Sequence, residues 1–121
     1  INDFVHIAAV NSVKIGDGCL IASKVLITDH SHGVYDGSDQ SSPAEPPTFR
    51  KLSSKKGVII GKNVWLGEYV SVLPGAIIGD GVIVGANSIV VGELPANTIC
   101  VGSPAKPIKC FSFETNTWNS I

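Results

Sequence analysis

A chain of 121 residues that is 44% hydrophobic and 16% charged is long enough for one domain with a real core and too apolar for disorder. Its formal charge of −1, with no long run of either sign, gives no reason to expect nucleic acid or an anionic membrane as partner. No stretch approaches the roughly 18 apolar residues of a membrane span, and Cys19, Cys100 and Cys110, odd in number and without CxxC or zinc-type spacing, point to a reducing, cytoplasmic setting.

The chain opens on Ile1 without a secretory leader, and further coils are expected upstream of it. From Ile15 an aliphatic residue recurs every six positions: Ile15, Ile21 and Ile27, then Ile60, Leu66, Val72, Ile78, Val84 and Val90. A small residue follows most of them, as in Ile15-Gly16, Ile60-Gly61 and Val84-Gly85. A second small or aliphatic residue falls four positions on, at Cys19, Val25, Val64, Val70, Ala76, Val82, Ser88 and Leu94. A period of six is not the 3.6 of a helix, and Gly or Asn in most repeats would weaken one. The pattern instead predicts short strands joined by turns, three hexads to a coil, with equivalent aliphatic side chains stacked between coils and Gly, Asn and Asp at the corners. An ordinary sandwich would show period two and turns at roughly 8–12-residue spacing. The expected fold is therefore an all-β parallel β-helix.

Residues 29–57 carry no hexad phase and include the run Ser41-Ser42-Pro43-Ala44-Glu45-Pro46-Pro47, so they are expected to form an inserted loop. The hexads fade after Val90 through Gly92-Glu93-Leu94-Pro95, and the chain leaves through Gly102-Ser103-Pro104-Ala105-Lys106. This gives a β-helix domain over 1–110 and a short C-terminal tail over 111–121, whose aromatic residues are expected to fold against the coil or a neighbouring chain.

Four stretches resemble the hexapeptide-repeat acyltransferases, and within them the galactoside and maltose O-acetyltransferase group with its polysaccharide O-acetyltransferase relatives. They are Val13-Lys14-Ile15-Gly16-Asp17-Gly18, the run Asp29-His30-Ser31-His32-Gly33, the hexad Ile60-Gly61-Lys62-Asn63-Val64-Trp65-Leu66-Gly67, and Pro74-Gly75-Ala76-Ile77-Ile78-Gly79 continuing to the Gly102–Lys106 exit. The resemblance implies a left-handed coil, an exception to the right-handed crossover rule. It also implies a homotrimer, with acetyl-CoA lying in the groove between adjacent prisms.

Moving an acetyl group to a hydroxyl needs a base for the hydroxyl proton and donors for the developing oxyanion. Aligned without gaps from Val13, the resemblance places the base on His32, with His30 as a neighbour that orients the acceptor or adds charge. Taken without the resemblance, both are equally compatible with solvated loop histidines. A metal is not expected, because the alternating His30 and His32, with Asp29 as acidic neighbour, show no convincing third partner, His6 lying far back in the chain. The resemblance further implies Asn2 and Trp65 as acceptor-binding residues, Trp65 being equally suited to packing against a tail or another subunit. For acetyl-CoA it implies Gly67, Glu68, Ala86, Lys106 and Lys109, the two lysines standing where arginines are usual and Val91-Gly92 replacing a Thr-Lys pair. The long loop with Tyr35 and Asp36 is closer to the polysaccharide-modifying relatives.

The resulting expectation is an acetyl-CoA-dependent O-acetyltransferase acting on a sugar hydroxyl in cell-surface polysaccharide biosynthesis. Direct attack is favoured over a cysteine intermediate, since Cys19 sits at an interior repeat position and neither Cys100 nor Cys110 adjoins a histidine in sequence. N-acetylation of an amino- or nucleotide-sugar, and a non-catalytic β-helix serving as an assembly platform, remain as alternatives.

Overall fold

The computed structural model describes residues 1–54 and 56–121. The chain winds through four coils of three short strands each. The first holds β1 (His6–Ala8), β2 (Val13–Ile15) and β3 (Leu20–Ile21). The second begins with β4 (Leu26–Thr28), after which the chain leaves the coil, and resumes with β7 (Val58–Ile60) and β8 (Trp65–Leu66). The excursion carries β5 (Ser31–His32), a 3₁₀ turn at Pro47–Phe49 and β6 (Leu52–Ser53). The third coil is β9 (Ser71–Val72), β10 (Ile77–Ile78) and β11 (Ile83–Val84), and the fourth is β12 (Ile89–Val90), β13 (Glu93–Leu94) and β14 (Thr98–Gly102).

Equivalent strands stack in parallel to make three faces: β1-β4-β9-β12, β2-β7-β10-β13 and β3-β8-β11-β14. Ile60 pairs with Ile78 and Val72 with Val90, each three hexads on, so the sequence period is the coil period. Ile78 then pairs with Leu94, two residues short of three hexads, because the corner at Val91–Gly92 is shorter. This is why the repeat fades in sequence while the coil continues.

Both interior positions of the hexad are filled as the pattern requires. Ile21, Ile27, Ile60, Leu66, Val72, Ile78, Val84 and Val90 are buried, and so are Val25, Val64, Val70, Ala76, Val82 and Ser88; Leu94 is buried as well, but at the first position of its coil, paired with Ile78, and not at the second position expected from the hexad count. Ile15 and Cys19, in the outermost coil, are only partly covered. The corners take left-handed backbone at Gly18, Asn63, Gly75, Gly81, Asn87 and Asn97, residues for which that region is cheap. Lys24 and Tyr69 adopt it as well, one above the other, with Lys24 Nζ donating to the Tyr69 hydroxyl at 2.8 Å. Gly67 answers a different need: a Cβ there would lie 2.7 Å from the backbone nitrogen of Ala86 in the next coil.

Past β14, a turn containing a cis Ser103–Pro104 bond reverses the chain into β15 (Ala105–Ser112), antiparallel to β14, and then β16 (Thr117–Ser120). β15 runs without interruption through residues 110 and 111, and Phe111 packs edge-on against Phe113 and Trp118. No helix among the described residues is long and apolar enough to cross a membrane.

Because each interior side chain touches equivalents above and below, truncating one leaves a cavity shared by three coils. Leu66→Ala is expected to lower unfolding free energy by about 2–5 kcal/mol in urea titrations, whereas Leu20→Ala, on the exposed side of the same face, should cost well under half as much.

Candidate active site

The corner between the first and second faces is an ordinary turn at residues 9–12 in the first coil, and the loop departs from the same corner one coil below. Asp29, the first residue beyond β4, is completely buried there. Its Oδ1 accepts from the Val10 N–H at 3.0 Å, and its Oδ2 accepts from Asn11 and Ser12 N–H, both at 2.7 Å. The Asp29 carbonyl accepts from the Ser54 hydroxyl at 2.8 Å, which ties the returning limb of the loop to its departing limb. Burial alone would push this carboxyl up. The N–H of Val10, the His30 ring and the N–H groups of Asn11 and Ser12 outweigh it and hold the carboxyl well below the usual carboxylate range.

His30 Nδ1 lies 3.0 Å from Asp29 Oδ1. A carboxylate only accepts, so this contact calls for a proton on Nδ1, and a neutral ring so arranged has its lone pair on Nε2. The His30 side chain is 16% exposed, and its Nε2 has no protein partner among the described residues. His32 is exposed, its ring centroid 6.5 Å from that of His30. The backbone around His32 is the firmer part: its carbonyl accepts from the Tyr35 hydroxyl, which accepts in turn from Arg50 Nη1 at 2.9 Å. Arg50 Nε donates to the Glu45 carbonyl at 2.9 Å, closing the loop on itself.

β5 and β6 pair antiparallel, with Ser31 opposite Ser53 and His32 opposite Leu52. Ser31, Ser53, Tyr35 and Lys56 line a cavity of about 380 Å³ over the Pro74–Gly75 corner of the next coil. It adjoins a hollow of about 310 Å³ floored by Ile59 and Ile77 on the second face, with Lys14 at its rim. Alternation along β5 keeps the histidines off this side, and neither lines either space.

The other residues singled out in the sequence lie elsewhere on the prism. Trp65 points outward from the third face, half-exposed in a row with its pairing partners Leu20 and Ile83. Gly67, Glu68 and Ala86 occupy the edge where the third face turns into the first, Gly67 buried and the other two exposed. Asn2 stacks on that edge above Ala22, two levels above Gly67, its N–H donating to the Ile21 carbonyl at 2.9 Å and its Oδ1 accepting from Asp3 N–H. Lys106 and Lys109 are exposed on β15 at the end of the third face, with no ion pair among the described residues. The structure thus brings His30 and His32 together and gathers the remaining set on and beside the third face, across the prism from the histidines' corner. The sequence reading missed Asp29 as a ligand of the imidazole; its only signal was an acid directly before a histidine at the point where the period stops.

Cysteine chemistry is unsuited to this site. Cys100 is buried, which pushes its thiol up, and it contacts the Thr98 hydroxyl at 3.2 Å. Cys19 donates to the Gly61 carbonyl at 3.1 Å, and Cys110 is on β15 in a different sheet from β4. Among the described residues no group of three His, Cys, Asp or Glu side chains is placed to hold a metal.

Fold and corner together describe a parallel β-helix of six-residue repeats that carries a carboxylate-anchored imidazole where the repeat is interrupted. Residues 57–92 match the model for the bacterial transferase hexapeptide (six repeats). The chain is 58% identical over 119 residues to WbbJ of Escherichia coli K12, assigned to lipopolysaccharide biosynthesis as an O-acetyl transferase, covering 98% of this chain and 60% of that protein. It is 39% identical over 114 residues to a dTDP-4-amino-4,6-dideoxy-D-glucose acyltransferase of E. coli, covering 89% of this chain and 58% of the relative. Among solved structures, a galactoside acetyltransferase in complex with coenzyme A superposes with a TM-score of 0.67 at 27% identity, over 88% of this chain and 57% of that one. The chain belongs to the hexapeptide-repeat acyltransferase family, and it spans about 60% of the length of WbbJ and of the dTDP-amino-sugar acyltransferase.

The Asp29 carboxyl has a folded-state value below its unfolded value of about 3.9, so its contribution to stability is present above pH 4 and is lost as pH falls through the folded value. Thermal unfolding followed from pH 7 to pH 2 should show wild type losing stability faster than Asp29→Asn below about pH 4. Parallel curves for the two proteins would refute a strongly held carboxylate.

Proposed function

We propose that the chain is the coil domain of an acetyl-CoA-dependent O-acetyltransferase that acts on a sugar hydroxyl during cell-surface polysaccharide biosynthesis. The observation that carries the reading is the anchored, partly exposed imidazole of His30 on a scaffold that WbbJ shares at 58% identity. The acyl donor is acetyl-CoA, by analogy with the coenzyme A complex of the galactoside acetyltransferase, and Lys106 and Lys109 supply free cationic groups of the kind its phosphates need. A cytoplasmic setting, where acetyl-CoA is available, agrees with the three free cysteines.

In this mechanism a histidine of the 30–32 run takes the proton from the acceptor hydroxyl as its oxygen attacks the thioester carbonyl carbon. The C–S bond then breaks, and the imidazolium returns the proton to the departing thiolate. The resemblance favours His32 as base. The geometry supports His30, because a base works best with its accepting nitrogen fixed, and of the two rings only that of His30 is held by a partner among the described residues. His32, 6.5 Å away, would then face the acceptor.

The separation of the site residues supports an assembly of several copies, and the family resemblance makes it a homotrimer of left-handed prisms. The histidines sit at one corner, whereas Trp65, Ala86 and the two lysines lie on or beside the opposite face. A groove using both sets requires the corner of one copy against the third face of the next. A heterologous contact of this kind closes as a three-membered ring when successive copies are related by a 120° rotation.

N-acylation of an amino- or nucleotide-sugar is the second reading, favoured by the name of the dTDP-amino-sugar relative at 39% identity. The test is to mix the protein, acetyl-CoA and a panel of hexoses, amino sugars and host oligosaccharides and follow free thiol. Product labile to mild alkali indicates an ester, and stable product an amide. His30→Ala is expected to reduce turnover by about 10²–10⁴-fold with His32→Ala retaining most of it; the reverse order would return the base to His32. Sedimentation equilibrium should give three times the chain mass, and a monomer would defeat the shared groove.

A further inference from the structure

We infer that Asp29 is a positioning residue: by accepting from His30 Nδ1 while it is itself locked onto the Val10–Ser12 corner, it fixes the imidazole in the tautomer whose Nε2 can accept a proton. The catalytic meaning of this inference rests on the O-acetyltransferase reading, whereas the ring state it assigns can be observed without substrate.

The argument begins with what the corner offers. Three successive N–H groups, of Val10, Asn11 and Ser12, converge on one point and form an anion-binding concavity. The protein fills it with its own carboxylate, wholly withdrawn from water. Oδ2 is saturated by two N–H groups, and Oδ1 takes the Val10 N–H and has one further lone pair, which His30 Nδ1 meets at 3.0 Å. Such a carboxylate has no freedom to turn. The direction of its last lone pair is set by the first coil, and so is the plane of the ring that donates to it.

Two neighbours could compete for the ring. The Thr28 hydroxyl lies 3.4 Å from Nδ1, longer than the Asp29 contact, and also 3.2 Å from the His30 carbonyl, to which it can donate. His32 is 6.5 Å away between centroids, too far for a hydrogen bond. Asp29 is therefore the group that selects the tautomer. An imidazole free in water favours the proton on Nε2, the form in which the outward nitrogen is a donor and cannot act as a base. The role is specific to a carboxylate. An asparagine has one accepting oxygen, and whichever way its amide is turned, an NH₂ group confronts at least one backbone N–H donor.

The test reads the ring directly by long-range ¹H–¹⁵N correlation on the uniformly labelled chain above the titration of its three histidines, His6, His30 and His32, with His30→Gln to assign the signal. In wild type, His30 is expected to carry its proton on Nδ1, while His6 and His32 show the Nε2-protonated form. In Asp29→Asn the His30 preference is expected to be lost, with His6 unchanged as an internal control. A wild-type His30 protonated on Nε2 would overturn the inference, and so would a folded Asp29→Asn that keeps the Nδ1 form. If the variant fails to fold, the wild-type spectrum decides alone. With acetyl-CoA and galactose as probes, a folded Asp29→Asn should lose at least about 100-fold in kcat with KM for acetyl-CoA unchanged. A rise in KM with kcat intact would assign Asp29 to the scaffold only. Absence of turnover in wild type would count against the O-acetyltransferase reading and leave the tautomer result standing.

Discussion

The constraint on which everything else depends is that a coil of two- and three-residue strands cannot satisfy its own backbone. Nearly every interior N–H must find a carbonyl in the coil above or below, as Gly16 N–H does with Ile60, Gly61 with Ile78 and Gly79 with Leu94. That requirement keeps adjacent coils in register, and the register stacks Ile21 on Leu66 and Leu66 on Val84. Glycine at the hexad's second position follows from the same closeness: a Cβ on Gly16 would come within 2.7 Å of the Gly61 backbone. Core, corners and glycine pattern are therefore consequences of one ladder.

An insertion breaks that ladder. Where the chain leaves the second coil after Thr28, the carbonyls that would continue beneath the 9–12 corner are carried away with the loop. The Val10, Asn11 and Ser12 N–H groups would be stranded, each at a cost of about 1–3 kcal/mol if buried without a partner. Asp29 supplies the missing acceptors from its side chain. A milder version of the device occurs at an intact corner, where Asp80 Oδ1 accepts from Lys62 N–H at 2.7 Å. The loop is thereby grafted onto the coil through an acid placed at its first residue, with Ser54 securing its return.

This account explains what could be read in the sequence and what could not. The core was legible because burial at Ile60, Leu66, Val72 and Ile78 repeats with the chain and needs no knowledge of neighbours. The fourth coil was half legible, since Leu94 and Cys100 keep the interior position although the short corner at Val91–Gly92 shifts their phase. The loop's chemistry was legible only as residue types. An acid beside a histidine says nothing of its partners until the fold brings Val10–Ser12, far back in the chain, against it. Nor does spacing along an irregular segment separate His30 from His32; among the described residues one ring is placed by a carboxylate and the other by none. The division of the remaining residues between opposite sides of the prism was equally hidden, because a hexad period does not say which of three faces a given repeat will occupy.

A strictly repeating coil is a poor place for catalysis. Its backbone groups are committed to one another, and its outward positions stand on regular flat faces, as with Leu20, Trp65 and Ile83. A reactive group with a defined direction requires an interruption, and the interruption requires a compensating acceptor. A hydroxyl or an amide would satisfy part of a corner with three convergent donors. A carboxylate has about four acceptor sites, enough for three backbone N–H groups and one imidazole. The interaction that makes the break tolerable is thus the one able to orient the base, so the cost of leaving the repeat and the origin of the site's geometry lie in the same buried side chain.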